Sequence, residues 1–145
     1  MKSNDQWHKV VVRNRSEFLR RMMLELSGNS SISLEGDLSY CKFSDVILLS
    51  RDETALLKRN TTLPKQDFAV LKLTSETVGE VFKQIMTAGL KKAIIHVQIE
   101  RSGLLELAAY DNFSPNCVLT GSGVGLSLLN ELKSSGVICS FQKTG

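Results

Sequence analysis

The sequence predicts a single α+β domain spanning 1–145, with one mixed, mostly antiparallel sheet and about three helices packed on it. Three observations carry that class. Strand-like and helix-like stretches intermix without a regular β-α-β alternation. The clearest strands fall next to each other as a hairpin. The 145 residues, with 42% hydrophobic and 23% charged side chains, suffice for one sizeable core, and no repeat, low-complexity tract or linker divides them.

The hairpin is the anchor. Ala93-Ile94-Ile95-His96-Val97-Gln98-Ile99-Glu100 alternates Ile95, Val97 and Ile99 against His96, Gln98 and Glu100, the period of a half-buried strand. Leu104 to Tyr110 returns after Arg101-Ser102-Gly103, with Gly103 supplying the positive φ of a three- to five-residue loop. Ile95, Val97, Ile99, Leu105 and Leu107 are expected to be buried together. Tyr110 is expected to leave the sheet on the side away from the core.

In chain order, His8 to Arg13 reads as a first strand. Asn14 then caps a helix, with Glu17 three residues on to complete a capping box. Phe18, Leu19, Met22, Met23 and Leu26 lie on one stripe at helical spacing. Glu17, Arg21 and Glu25 make an i,i+4 ladder beside it, and Gly28-Asn29 ends the helix. Ser31 to Gly36 alternates as a strand, with an extension through Leu38 and Tyr40 as one reading of the ambiguous stretch that follows. Asp45-Val46-Ile47-Leu48-Leu49-Ser50 reads as a short buried strand. Residues 51–66 are polar, contain Pro64, and read as a long loop.

Asp67 to Leu73 is the next strand. Thr74 or Ser75 caps a second helix whose buried stripe is Val78, Val81, Phe82, Ile85 and Met86, and Gly89 with Leu90 has the form of a Schellman stop. Beyond the hairpin come the loop Tyr110-Asp111-Asn112-Phe113-Ser114-Pro115 and a strand at Cys117-Val118-Leu119. A glycine-rich entry then opens a helix with Leu128, Leu129 and Leu132 inward. Gly136 stops it before a last strand, Val137 to Phe141.

Several function classes lose support from composition. No apolar run approaches the roughly 18 residues of a membrane span, and Met1 to His8 has no apolar signal region. Three widely spaced cysteines (Cys41, Cys117, Cys139) fit a reducing compartment rather than a disulfide framework. These features point to a cytoplasmic location without a membrane partner. Two histidines, His8 and His96, leave a zinc site almost no ligands. The net charge of +3 gathers in residues 1–21, where six basic side chains meet two acidic ones. That excess suits a solvated helix face; nucleic acid is the sharper alternative, without aromatic interleaving or a known module behind it.

Catalytic patterns are thin. Glu35 and Asp37 share a strand face without a marked cleft. His96 reads as a packed or surface histidine rather than half of a Cys–His pair. No serine sits in a nucleophile elbow. The 110–115 loop reads in two ways: a turn with its rings folded inward, or an exposed contact patch in which Tyr110, Asp111, Asn112 and Phe113 bind a partner. The resulting expectation is a non-catalytic cytoplasmic protein-binding domain without a cofactor, with an inhibitor or toxin-neutralising immunity-type protein as a concrete form. Its second candidate surface is the 51–66 loop.

Gly121-Ser122-Gly123-Val124-Gly125-Leu126-Ser127-Leu128-Leu129 resembles the second glycine box of the histidine-kinase-like ATPases. The resemblance covers roughly residues 76–136, and Asp111-Asn112 falls where that family keeps an adenine-recognising aspartate. It implies a nucleotide-binding domain with Asp111 and the glycines as its site. Two family residues have no counterpart: Phe113 stands where a glycine is expected, and the helix before the hairpin offers no metal-binding asparagine near Ala88. Taken as residues, the same glycines suit a tight turn and close helix–sheet packing.

Overall fold

The computed structural model describes residues 7–90 and 92–144. Among them the strands are β1 (His8–Val12), β2 (Ser30–Gly36), β3 (Leu48–Ser50), β4 (Asp67–Leu73), β5 (Ile94–Arg101), β6 (Leu104–Ala109), β7 (Val118–Thr120) and β8 (Ile138–Lys143). The helices are α1 (Arg15–Leu26), α2 (Val78–Ala88) and α3 (Leu126–Ser134). The strands form one sheet in the order β3-β4-β2-β5-β6-β7-β1-β8, and every pairing between them is antiparallel. The α+β class with sheet and packed helices is what the sequence patterns require.

Helix α1 forms where capping and periodicity agree. The Asn14 side chain accepts the Glu17 N–H at 3.1 Å, satisfying one orphan donor of the first turn. Phe18, Leu19, Met22, Met23 and Leu26 are all fully buried, as the stripe predicts. The expected Glu17–Arg21–Glu25 ladder does not form. Glu17 instead takes Arg20 in a two-pronged contact at 2.7 Å, and Arg21 crosses to Glu131 at 2.9 Å. Two members of the basic N-terminal excess are thereby ion-paired, and Lys2 lies outside the described residues.

All three helices cover one face of the sheet. Their buried residues join Ile32, Leu34, Ala69, Leu71, Leu73, Val97, Ile99, Leu107 and Ala109 in one apolar cluster. The hairpin turn is tighter than expected: Arg101 pairs with Leu104, so Ser102 (φ +52°) and Gly103 (φ +82°) form a two-residue loop. Positive φ at both positions is the twist-matching geometry of such loops.

Of the four register shifts between the described strands, two change which hairpin side chains reach the core. In one, Ile95 is the extra residue on β5, opposite the step from Glu35 to Gly36 on β2; Ile94 is turned into the core and Ile95 stays half-buried. The other lies at Glu106, so Leu105 pairs with Glu100 and joins a separate small cluster with Leu57, Phe68 and Val70. The expected five-residue group is therefore corrected. Val97, Ile99 and Leu107 share the core, while Ile95 and Leu105 do not. A one-residue insertion reverses alternation beyond it.

Three further expectations change. Strand β2 stops at Gly36; Leu38 lies beyond it, buried in the main apolar cluster, and Tyr40 is 73% exposed. The run 45–50 contributes only β3, with Val46 69% exposed, because Asp45 to Ile47 forms a turn whose Ile47 and Leu48 amides return to the Ser44 carbonyl. Helix α2 starts at Val78, later than Thr74 or Ser75. Thr77 takes the cap position, and the Thr74 hydroxyl accepts the Glu76 and Thr77 N–H groups at 3.3 Å. No described helix is long and apolar enough to cross a membrane.

Candidate functional site

The second face of the sheet is polar at its centre. Ser33, Glu35, His96 and Gln98 are all buried there, and the ladder pairs Ser33 with Gln98 and Glu35 with His96. Buried polar groups need partners, and the 51–66 loop supplies them from its backbone. Glu35 Oε1 accepts the Asn60 N–H at 2.7 Å and Oε2 the Thr61 N–H at 3.1 Å. Gln98 Oε1 accepts the Lys58 N–H at 3.1 Å, and Leu57 plugs into Phe68 and Val70 beneath. The predicted loop is thus a roof, fastened by two strand side chains and one apolar plug.

His96 joins this roof to the 110–115 segment. Its Nδ1 accepts the Asp111 N–H at 3.1 Å, which leaves the ring proton of the neutral form on Nε2, 2.7 Å from the Thr61 hydroxyl. The Tyr110 ring packs edge-on against His96, and its hydroxyl accepts from Gln98 Nε2 at 2.9 Å. Tyr110 therefore leaves the sheet away from the helices, as its register predicts. The two candidate surfaces read separately from the sequence are one connected structure.

The segment itself is a left-handed turn. Asp111, Asn112 and Phe113 have φ of +50°, +58° and +62°, and Asn116 has +68°. Left-handed residues normally occur singly, each costing about 1–2 kcal/mol when a Cβ is present. Four bonds hold the turn: Tyr110 N–H to Cys117 O at 2.9 Å, Phe113 N–H to Tyr110 O at 3.1 Å, Ser114 N–H to Asp111 O at 3.2 Å and Cys117 N–H to Ser114 O at 3.0 Å. The Ser114 hydroxyl also donates to the Asp111 carbonyl.

Phe113 does not project into solvent. It is buried and meets Phe18 edge-on at 6.2 Å, so the expectation of an exposed ring is corrected. The left-handed twist turns its side chain back toward α1. Asp111 is exposed and Asn112 is half-buried, with an Oδ1 that has no hydrogen-bond partner among the described residues.

The glycine segment links β7 to α3, the order expected of it. Gly121 donates to the Glu106 carbonyl at 2.8 Å, and a β-carbon on Gly123 would come within 2.0 Å of Glu106 Oε2. The missing side chain at Gly123 makes room for a buried glutamate, which is the close-packing role.

Two of the thiols, Cys41 and Cys117, are pushed away from the thiolate form. Burial pushes Cys41 above the ordinary thiol range; burial and then the neighbouring Asp111 do the same to Cys117. Both His96 nitrogens are taken by Thr61 and Asp111, and no cysteine sulfur bonds to the ring among the described residues. The described residues also hold no group of three or more His, Cys, Asp or Glu side chains placed to bind a metal ion.

Sequence reasoning missed the Glu35–Thr61–His96–Gln98 network. Its available signal was the pair of polar alternations, Ser33/Glu35 and His96/Gln98, on two inner strands. Compared with protein-family models, curated proteins and solved structures, the chain finds no match.

Proposed function

We propose that the chain is a non-catalytic protein-binding domain that presents the left-handed turn at Asp111–Phe113 to a protein partner, with an inhibitor or immunity-type protein as its concrete form. One observation carries the reading: the turn keeps three consecutive left-handed residues, Asp111 to Phe113, despite their cost. Strain of this kind persists where the surroundings over-determine it, and it clusters at sites of recognition and switching. Here the surroundings are His96 on one side and Phe113, set into the core, on the other. A turn held this firmly loses little entropy when a partner docks. Tyr110 and Asp111 are the side chains it offers, with Pro115 and Asn116 exposed beside them.

The test begins with affinity capture of a partner from the native host, followed by calorimetric titration of purified components. Asp111→Ala and Tyr110→Ala are expected to keep a cooperative melt. At least one of them should lose about thirtyfold in affinity, the equivalent of roughly 2 kcal/mol at an interface anchor. Phe113→Ala is unsuitable, because it empties a core position. Full-strength binding by both variants moves the interface elsewhere. The nucleotide reading is checked on the same protein: millimolar Mg-ATP should leave the melting point unchanged, and a rise of several degrees would favour that reading instead.

A further inference from the structure

At its outer end the 51–66 loop closes over a second feature. Arg51, Arg59, Lys65, Gln66, Asp67 and Phe68 line a cavity of about 260 Å³. Both guanidinium groups are fixed by stacking: Arg59 lies 5.0 Å from the centre of the Phe68 ring and Arg51 lies 5.5 Å from that of Phe43. Stacking occupies the flat faces and leaves the N–H edges for hydrogen bonds. Those edges are poorly matched. The Arg59 side chain is only 15% exposed, yet its one acidic contact is Asp52, 87% exposed and 3.5 Å away. Its Nε is buried without a hydrogen-bond partner among the described residues. Arg51 and Lys65 make no ion pair among those residues.

Asp67 is the one carboxyl group in the lining, and it already accepts the Leu38 N–H at 3.0 Å. Beyond the long Arg59–Asp52 contact and the Glu53 carboxyl group held by the Arg59 backbone N–H at 2.9 Å, Arg51 and Lys65 are left without an ion-pair partner among the described residues. A largely buried guanidinium without a good counter-ion is destabilising, and an anion from solution removes that cost. The volume falls below the roughly 300–1,000 Å³ of pockets for whole organic ligands, which suits a compact group. The paired N–H edge of arginine fits the spacing of phosphate oxygens.

We propose that this cavity is an oxyanion site that takes a phosphoryl dianion between Arg51, Arg59 and Lys65, with Phe68 as its wall. No residue of the 110–116 turn lines it, so the assignment stands apart from the protein-binding reading.

The experiment titrates inorganic phosphate into the full chain at constant ionic strength, followed by amide NMR shifts and melting temperature. The expected result is a saturable change at residues 51, 59 and 65–68. Lys65→Gln and Arg51→Gln remove exposed side chains and leave the fold intact; each should weaken binding about tenfold. A phosphoserine peptide forms a second arm. Binding tighter than that of inorganic phosphate makes the natural source a phosphorylated side chain, and equal or weaker binding makes it a free phosphate compound. The proposal is overturned by the absence of a saturable change at tens of millimolar phosphate, by unaltered affinity in both variants, or by succinate binding as tightly as phosphate.

Discussion

The two faces of the sheet are both closed over at their centres, but by different chemistry. The helix-covered face is mainly apolar, and its cover comes from the side chains of α1, α2 and α3. The opposite face is built on Glu35, His96 and Gln98, and its cover is a loop held by backbone N–H groups. Apolar packing is non-directional and tolerates adjustment, whereas a hydrogen-bonded roof works in one arrangement only. The helix face therefore sets the stability of the fold, and the polar face sets the shape of the two loops above it.

Val97 offers the most severe break of that contrast. Val97→Asp places a carboxyl group among fully buried apolar side chains. The cost of several kcal/mol is comparable to a whole domain's stability of about 5–15 kcal/mol. Loss of the cooperative circular-dichroism melt is expected; a soluble variant with an unchanged melting point would show that Val97 does not face the core.

Removing the fastening on the other face should act locally first. Glu35→Ala strands the Asn60 and Thr61 N–H groups under the roof and is expected to cost about 3 kcal/mol. Amide exchange at 58–61 should accelerate well before exchange in β2 or β5. If both accelerate together, roof and sheet are one cooperative unit and the contrast fails.

Thr61→Val is a finer probe. It keeps the shape and deletes the bond to His96 Nε2, for an expected loss of about 1 kcal/mol. The same change should perturb the Asp111 amide resonance, because His96 bonds both loops. An unmoved Asp111 signal would mean that the turn is held without the roof.

The smallest effect belongs to the helix surface. Arg20, hydrogen-bonded to Glu17, holds that carboxyl group below its usual range. A lowered folded-state value stabilises the protein above the ordinary carboxylate range, and the gain disappears as pH falls through the folded value. Both side chains are substantially exposed, so Glu17→Gln should cost only a few tenths of a kcal/mol at neutral pH and nothing in strong acid. Melting curves across the acid range would check it.

What was legible in the sequence follows the same division. The cap and buried stripe of helix α1 were readable because both are local patterns, whereas its charge pairing was not, since Arg21 turns to Glu131 on another helix. The hairpin was readable as an element, but the bulge at Glu106 was not: Leu105 and Leu107 look equivalent in the sequence, and only pairing with Glu100 separates them. The 51–66 loop was legible as a loop. Its attachment was hidden, since the backbone N–H of Asn60 or Thr61 is the same in any sequence. Tyr110 went to its expected side by simple register. Phe113 did not project as expected, because three left-handed residues without a glycine among them have no sequence signature.

The place of β1 has a consequence in time. The first strand sits between β7 and β8, pairing His8 with both Thr120 and Lys143. More than a hundred residues separate β1 from either neighbour. During synthesis at roughly 5–20 residues per second, the strand Val10-Val11-Val12 waits on the order of 5–20 s with both edges open. For that interval it is the part of the nascent chain most open to pairing with another copy, and the segment a ribosome-associated chaperone would need to shield.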